Sequence, residues 1–91
     1  MRPDEIRQLR KDTGLSRENF ARLFSVSPVT ITYWENGQRN PPAIYMAHLL
    51  TLRQKVNSLQ VENNNNIGQT LLQLMVAGGI IAFFVWLFND D

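Results

Sequence analysis

The chain has 91 residues, with nine Lys or Arg and eight Asp or Glu, which give a formal net charge of +1. This length allows one small domain and an appendage. The absence of cysteine excludes disulfides and thiolate metal sites, and one histidine among scattered acids does not suggest a metal site. No nucleophile–base pair and no glycine-rich phosphate loop points to an enzyme, so we expect neither catalysis nor a bound cofactor or metal.

The positive charges are confined to the N-terminal part of the chain. All nine Lys and Arg lie at or before Lys55, and residues 1–60 hold five acids, so this part carries nine minus five, or +4. The remaining residues hold three acids and no base. A basic N-terminal part suits an anionic partner such as nucleic acid.

Capping and stop signals predict four helices in the first 60 residues. Pro3 opens the first helix and Gly14 ends it, while Ser16 caps the second. Ser27 caps a third helix, which Gly37 ends. The fourth helix begins after two prolines and carries a short heptad-like seam formed by Leu49, Leu52, Val56 and Leu59.

The second and third of these helices, joined by a three-residue connection, have the order and spacing typical of a helix-turn-helix. The stretch "IRQLRKDTGLSRENFARLFSVSPVTITYWENGQRNPP" resembles the lambda-repressor-like, or Xre, family of DNA-binding domains. The resemblance covers roughly residues 4–55. It implies an all-α bundle of four to five helices within residues 1–60, with the third helix laid in the DNA major groove.

The resemblance also assigns residues to the contact with double-stranded DNA. Those that face base edges are Pro28, Val29, Thr32 and Tyr33. Those that contact phosphates are Arg17, Ser27, Asn36 and Arg39. An internal ion pair between Arg10 and Glu35 steadies the third helix. Together these residues imply a sequence-preferring transcriptional regulator of bacterial or phage type.

Two positions depart from the family pattern. Ser25 stands where the family often has glycine, and if its backbone needs a positive φ, serine costs about 1 kcal/mol there. Pro28 replaces a polar reader and removes one base contact. Because no bidentate Arg–guanine or Gln–adenine reader is present, we expect moderate sequence preference.

The alternative to a DNA-binding regulator is a structural or interaction protein whose helical domain binds a protein partner through a patch that includes Tyr33 and Val29.

The C-terminal part changes abruptly in character. We interpret residues 61–66 as an Asn-rich linker and residues 67–91 as a hydrophobic helix. Leu71–Phe88 holds one polar side chain, Gln73, and at about 1.5 Å per residue it spans about 27 Å of a hydrocarbon core of about 30 Å. This predicts a single transmembrane helix with residues 67–88 in lipid. Because every base precedes it, the N-terminus would lie at the cytoplasmic face of the membrane.

The alternative for this helix is oligomerisation in a cytoplasmic protein. A domain of this size has no groove that hides eighteen apolar residues in a monomer, so several chains would pool their tails. Gly78 and Ala82, four residues apart, offer a small-residue contact in either solvent, and Trp86 lies near the far end. We therefore expect a homo-oligomer, with the seam of the fourth helix, the tail or both at its interface.

Overall fold

The computed structural model describes residues 1–61 and 67–88, and this part of the chain is all-α. The helices are α1 (Pro3–Thr13), α2 (Arg17–Phe24), α3 (Pro28–Asn36), α4 (Ala43–Val61) and α5 (Ile67–Leu87). The all-α bundle agrees with the prediction. The predicted linker lies outside the described residues apart from Val61, which ends α4.

Local signals set the ends of the first three helices. The side-chain oxygens of Ser16 and Ser27 each accept a hydrogen bond from the backbone N–H three residues later. Gly14 and Gly37 adopt left-handed φ values of 77° and 76° and end α1 and α3. Each of these ends satisfies backbone groups that a helix terminus leaves unpaired.

Ser25 ends α2 in the left-handed region, with φ 55° and ψ 40°. The position therefore needs a positive φ, which is the condition under which serine is unfavourable there. Serine has a Cβ, so it adopts this backbone at a cost of about 1 kcal/mol relative to glycine. The cost falls in the connection between α2 and α3.

The first four helices share one apolar core. Phe20 and Phe24 meet edge to face at 5.2 Å between ring centroids, and Trp34 of α3 packs against Tyr45 of α4. The α4 seam joins the same core, with Leu49, Leu52 and Val56 fully buried. Because the seam is covered by its own chain, it offers no surface to a second copy.

The C-terminal segment folds back onto the domain. Helix α5 packs against α2 and α4. Ile67, Leu71, Phe83 and Leu87 are buried in the common core. Near its start, Gly68 lies so close to the α1–α2 turn that a Cβ there would overlap the carbonyl oxygen of Thr13.

Helix α5 is broken at Gly79, which has φ 70° and ψ −169°. The break leaves helical stretches of 12 and 8 residues, about 18 and 12 Å long, against a hydrocarbon core of about 30 Å. No helix in the part of the chain that the structure describes has both the length and the apolar character to span a bilayer. The predicted transmembrane helix is therefore wrong, and the membrane orientation and lipid contact inferred from it lose their basis.

The second stretch of α5 is held against α4 by aromatic contacts. His48 lies between Phe84 and Phe88, at centroid distances of 4.6 and 5.2 Å. The ammonium of Lys55 lies 5.5 Å from the centre of the Trp86 ring. The opposite side of α5 faces solvent, with Val76 88%, Ile81 75% and Val85 65% exposed. One side of the segment thus completes the core, and the other stays uncovered.

Candidate nucleic-acid interface

Helix α3 has one buried and one accessible face. Ile31, Trp34 and Glu35 point into the domain. The residues on the other face, all exposed or half-buried, are Pro28, Val29, Thr32, Tyr33 and Asn36. Their spacing matches the period of 3.6 residues per turn, so they form one continuous strip along the helix. The strip contains the four side chains that the resemblance assigns to base edges.

Three hydroxyl groups, on α3 or at its cap, have partners within this part of the chain. Thr32 Oγ1 donates to the carbonyl oxygen of Pro28 at 3.2 Å. The Ser27 hydroxyl caps α3 and lies 3.1 Å from Thr30 Oγ1. With its proton used internally, Thr32 presents a methyl group and acceptor lone pairs. The strip is therefore suited to apolar contact and to accepting hydrogen bonds.

Arg39 stacks on Tyr33 just after α3. Its guanidinium carbon lies 4.9 Å from the centre of the Tyr33 ring. Such a cation–π contact limits the rotation of both side chains and leaves the guanidinium its N–H donors. The structure thus joins a residue assigned to bases with one assigned to phosphates.

A buried carboxylate lies behind the strip, and three arginines converge on it. Arg10 Nε lies 2.7 Å from Glu35 Oε2, Arg17 Nε 3.0 Å from Glu35 Oε1, and Arg7 Nε 3.9 Å from Glu35 Oε1. We call these four residues the Glu35 cluster. The Glu35 side chain is fully buried, while Arg7 and Arg17 are 42% and 45% exposed.

The Glu35 cluster carries three positive charges and one negative charge. A buried carboxylate needs compensation, but here the arginines exceed what one carboxylate neutralises. Arg17 is the first residue of α2, so its charge adds to the positive end of that helix. The resemblance assigned roles to Arg10, Arg17 and Glu35 but none to Arg7. The three-residue spacing of Arg7 and Arg10 on α1 was the signal that could have found it.

The residues predicted for an oligomer or membrane contact lie on α5, on both sides of the break at Gly79. Gly78 is exposed, whereas Ala82 and Trp86 are half-buried. A Cβ at Gly78 would overlap that of Ala82, so the two positions lie side by side. Among the described residues, no group of His, Cys, Asp and Glu side chains could hold a metal ion.

Comparison with known proteins matches the first part of this fold. Residues 6–47 match a family model described as helix-turn-helix, of the lambda-repressor-like, Xre type. This range begins in α1, contains α2 and α3 and ends in α4. No curated protein and no solved structure matches the chain. The match shows that residues 6–47, just under half of the sequence, are similar to a lambda-repressor-like helix-turn-helix.

Proposed function

We propose that the protein binds double-stranded DNA with a preference for certain sequences and acts as a transcriptional regulator. The observation that carries this proposal is the accessible strip of α3 with two cationic side chains beside its C-terminal half: Arg17, which bonds Glu35, and Arg39, which stacks on Tyr33. Arg17 lies at the start of α2 and Arg39 follows α3. A helix with an accessible strip and positive charge beside it fits the major groove, where phosphates flank the base edges.

The proposed contacts follow from the chemistry of each side chain. Arg17 and Arg39 bind phosphates by charge, and Asn36 by its amide N–H groups. Ser27 opens α3, whose first N–H groups and positive dipole end also suit a phosphate. On the strip, Val29 and the Thr32 methyl contact thymine methyl groups. Pro28 and the Tyr33 ring provide further apolar contact with the bases.

DNA binding is tested with the full chain and a short fluorescent duplex of mixed sequence. Fluorescence anisotropy should show binding whose affinity falls as salt concentration rises, because phosphate contacts release counterions. The double variant Arg17→Met, Arg39→Met should bind at least about tenfold more weakly. The slope of log affinity against log salt concentration should become less steep by about 2.

The matched control is Arg2→Met, Arg22→Met, which removes the same charge elsewhere. Arg2 pairs with Asp4, and Arg22, in the last turn of α2, pairs with Glu18. The control should retain most of the affinity and most of the salt slope. If both double variants weaken binding equally, the phosphate assignments are wrong. If the natural chain does not bind the duplex, the proposed function is wrong.

We also propose that the regulator is a homodimer formed through the uncovered side of α5. Val76, Ile81 and Val85 are exposed there, and residues 67–88 contain no charged side chain. Two such surfaces pair without charge repulsion. A symmetric dimer would bind two half-sites about 34 Å apart.

Light scattering coupled to size-exclusion chromatography tests the dimer. The natural chain should elute with twice the mass of one copy, and Ile81→Glu with the mass of one. Gln73→Glu adds the same charge to α5 at an exposed residue that is already polar, so it should remain dimeric. A natural chain that stays monomeric at the highest concentration measured would contradict the dimer and leave the DNA-binding proposal untouched.

A further inference from the structure

Arg7 contacts the residue at the end of α3 although 29 positions separate them in sequence. Its Nη2 donates to Asn36 Oδ1 at 3.0 Å. Its Nε is buried without a hydrogen-bond partner among the described residues, because Glu35 Oε1, at 3.9 Å, is too far for a hydrogen bond. The bond to Asn36 therefore fixes the orientation of this guanidinium, and Glu35 holds its charge nearby.

The bond to Arg7 also selects one orientation of the Asn36 amide. A guanidinium has only donors, so the amide oxygen must face Arg7 and the NH₂ group must face away from it. Asn36 is an exposed residue of the strip, so an NH₂ group that faces away from Arg7 is open to solvent and to a ligand. Without Arg7, the amide could turn over and present its oxygen instead.

The two orientations of Asn36 differ in what they can bind. A phosphate oxygen only accepts hydrogen bonds, so it pairs with the NH₂ group and is repelled by the carbonyl oxygen. The positive charge of Arg7 acts in the same direction, since the Glu35 cluster holds three arginines against one carboxylate. Both effects make the end of α3 a donor site for an anion.

We propose that Arg7 is a positioning residue for DNA binding: it holds the amide oxygen of Asn36 and thereby presents the Asn36 NH₂ group to a backbone phosphate. This inference rests on the proposed function. It adds a residue of α1, outside the two helices α2 and α3, to the residues that set the position of α3 on DNA.

A double-mutant cycle on the full chain tests the coupling, with the same mixed-sequence duplex read by anisotropy. Asn36→Ala should weaken binding about tenfold, the size of one charge-assisted hydrogen bond. Arg7→Met keeps an apolar stem but removes the charge and the donors, and should weaken binding at least as much. In the Arg7→Met background, Asn36→Ala should cost less than about threefold, because the amide is no longer oriented. Costs that multiply independently would overturn the proposal.

Arg22→Met is the control for charge alone. It removes one exposed arginine in the last turn of α2, at the other end of that helix from Arg17. The described partner of Arg22 is Glu18. Arg22→Met should weaken binding less than Arg7→Met, and Asn36→Ala should keep its full cost in that background. Equal effects of Arg7→Met and Arg22→Met, with no coupling to Asn36, would reduce Arg7 to general charge and overturn the proposal.

Two further measurements separate positioning from folding. In nuclear magnetic resonance spectra of the protein without DNA, the side-chain NH₂ signals of Asn36 should shift in Arg7→Met and stay in place in Arg22→Met. Arg7→Lys keeps a charge and a donor, so it should recover part of the affinity and of the coupling, and it replaces Arg7→Met in the cycle if that variant fails to fold. If Arg17→Met and Arg39→Met weaken binding while Arg7 and Asn36 act independently, this inference fails and the proposed function stands.

Discussion

The helix-turn-helix part and α5 differ in how far local sequence determines their structure. Each of α1, α2 and α3 terminates at an adjacent residue with a left-handed backbone, and serine side chains cap the first turns of α2 and α3. In α5, the hydropathy of residues 67–88 suggests one continuous helix, yet the chain breaks at Gly79 and folds over α2 and α4. Strong hydrophobicity shows that a segment must be buried, but its packing partners decide where.

The two regions also differ in how they use charge. The first region buries Glu35 among three arginines and exposes a strip beside them. The second has no charged side chain between residues 67 and 88 and leaves Val76 and Ile81 exposed. One region is therefore suited to a polyanion and the other to an apolar partner.

The largest expected effect tests whether α5 belongs to the same folding unit as α1–α4. Phe83 is fully buried in the common core, so Phe83→Ala should lower the free energy of unfolding by about 3–5 kcal/mol. Urea titration followed by circular dichroism measures this. Gln73→Ala, at an exposed polar residue on the same helix, should change it by less than about 0.5 kcal/mol. Equal, small effects would mean that α5 does not share the core.

A smaller loss is expected from the first region, where Glu35→Gln removes the carboxylate and leaves three arginines facing one another. Removing one partner of a buried ion pair costs about 3–5 kcal/mol, and partial exposure of Arg7 and Arg17 should reduce this to about 2–3 kcal/mol. Glu18→Gln breaks an exposed pair with Arg22 and should cost less than about 1 kcal/mol. Thermal and urea unfolding of both variants would reveal whether the cluster stabilises the domain, and identical curves would show that it does not.

The junction of the two regions should be sensitive to one methyl group. At Gly68 a Cβ would overlap the Thr13 carbonyl oxygen and crowd Leu15, so Gly68→Ala should destabilise the protein by about 1–3 kcal/mol. The neighbouring change Gln69→Ala, at an exposed residue, serves as the control and should have little effect. Hydrogen exchange of α5 amides in Gly68→Ala should rise, whereas unchanged exchange would mean that the contact is readily relieved.

The smallest effect is expected from pH. His48 packs between Phe84 and Phe88, and burial lowers the pKa of its imidazole below its ordinary value of about 6.5. The unfolded chain then takes up the proton first, so stability is full above about pH 6.5 and falls as pH drops toward the folded-state pKa. Melting temperatures between about pH 7.5 and pH 5.5 should fall more for the natural chain than for His48→Leu. Parallel curves would assign the pH dependence to the carboxylates.

Much of the first region could be predicted because its signals are short-range. The helix ends are marked by residues directly next to them: Ser16, Ser27, Gly14 and Gly37. The helix-turn-helix match at residues 6–47 lies inside the range of the resemblance. Arg7 was missed because its partners, Glu35 and Asn36, are 28 and 29 residues away and become neighbours only when α1 packs on α3. Similarly, the sequence offers the α4 seam as one of two candidate oligomer contacts, because the helices that cover it within the chain are distant in sequence.

By itself, the sequence determined where the first helices begin and end, and that a helix-turn-helix is present. It also determined that residues 67–88 are strongly apolar. Helix caps, helix stops and hydropathy act over a few residues, so they can be recognised without the tertiary structure. Only the tertiary structure decided that α5 breaks at Gly79, completes the core with Phe83 and Leu71, and keeps one side uncovered. It also decided that three arginines share Glu35. These features depend on distances between residues far apart in the chain, which are set when the helices pack together.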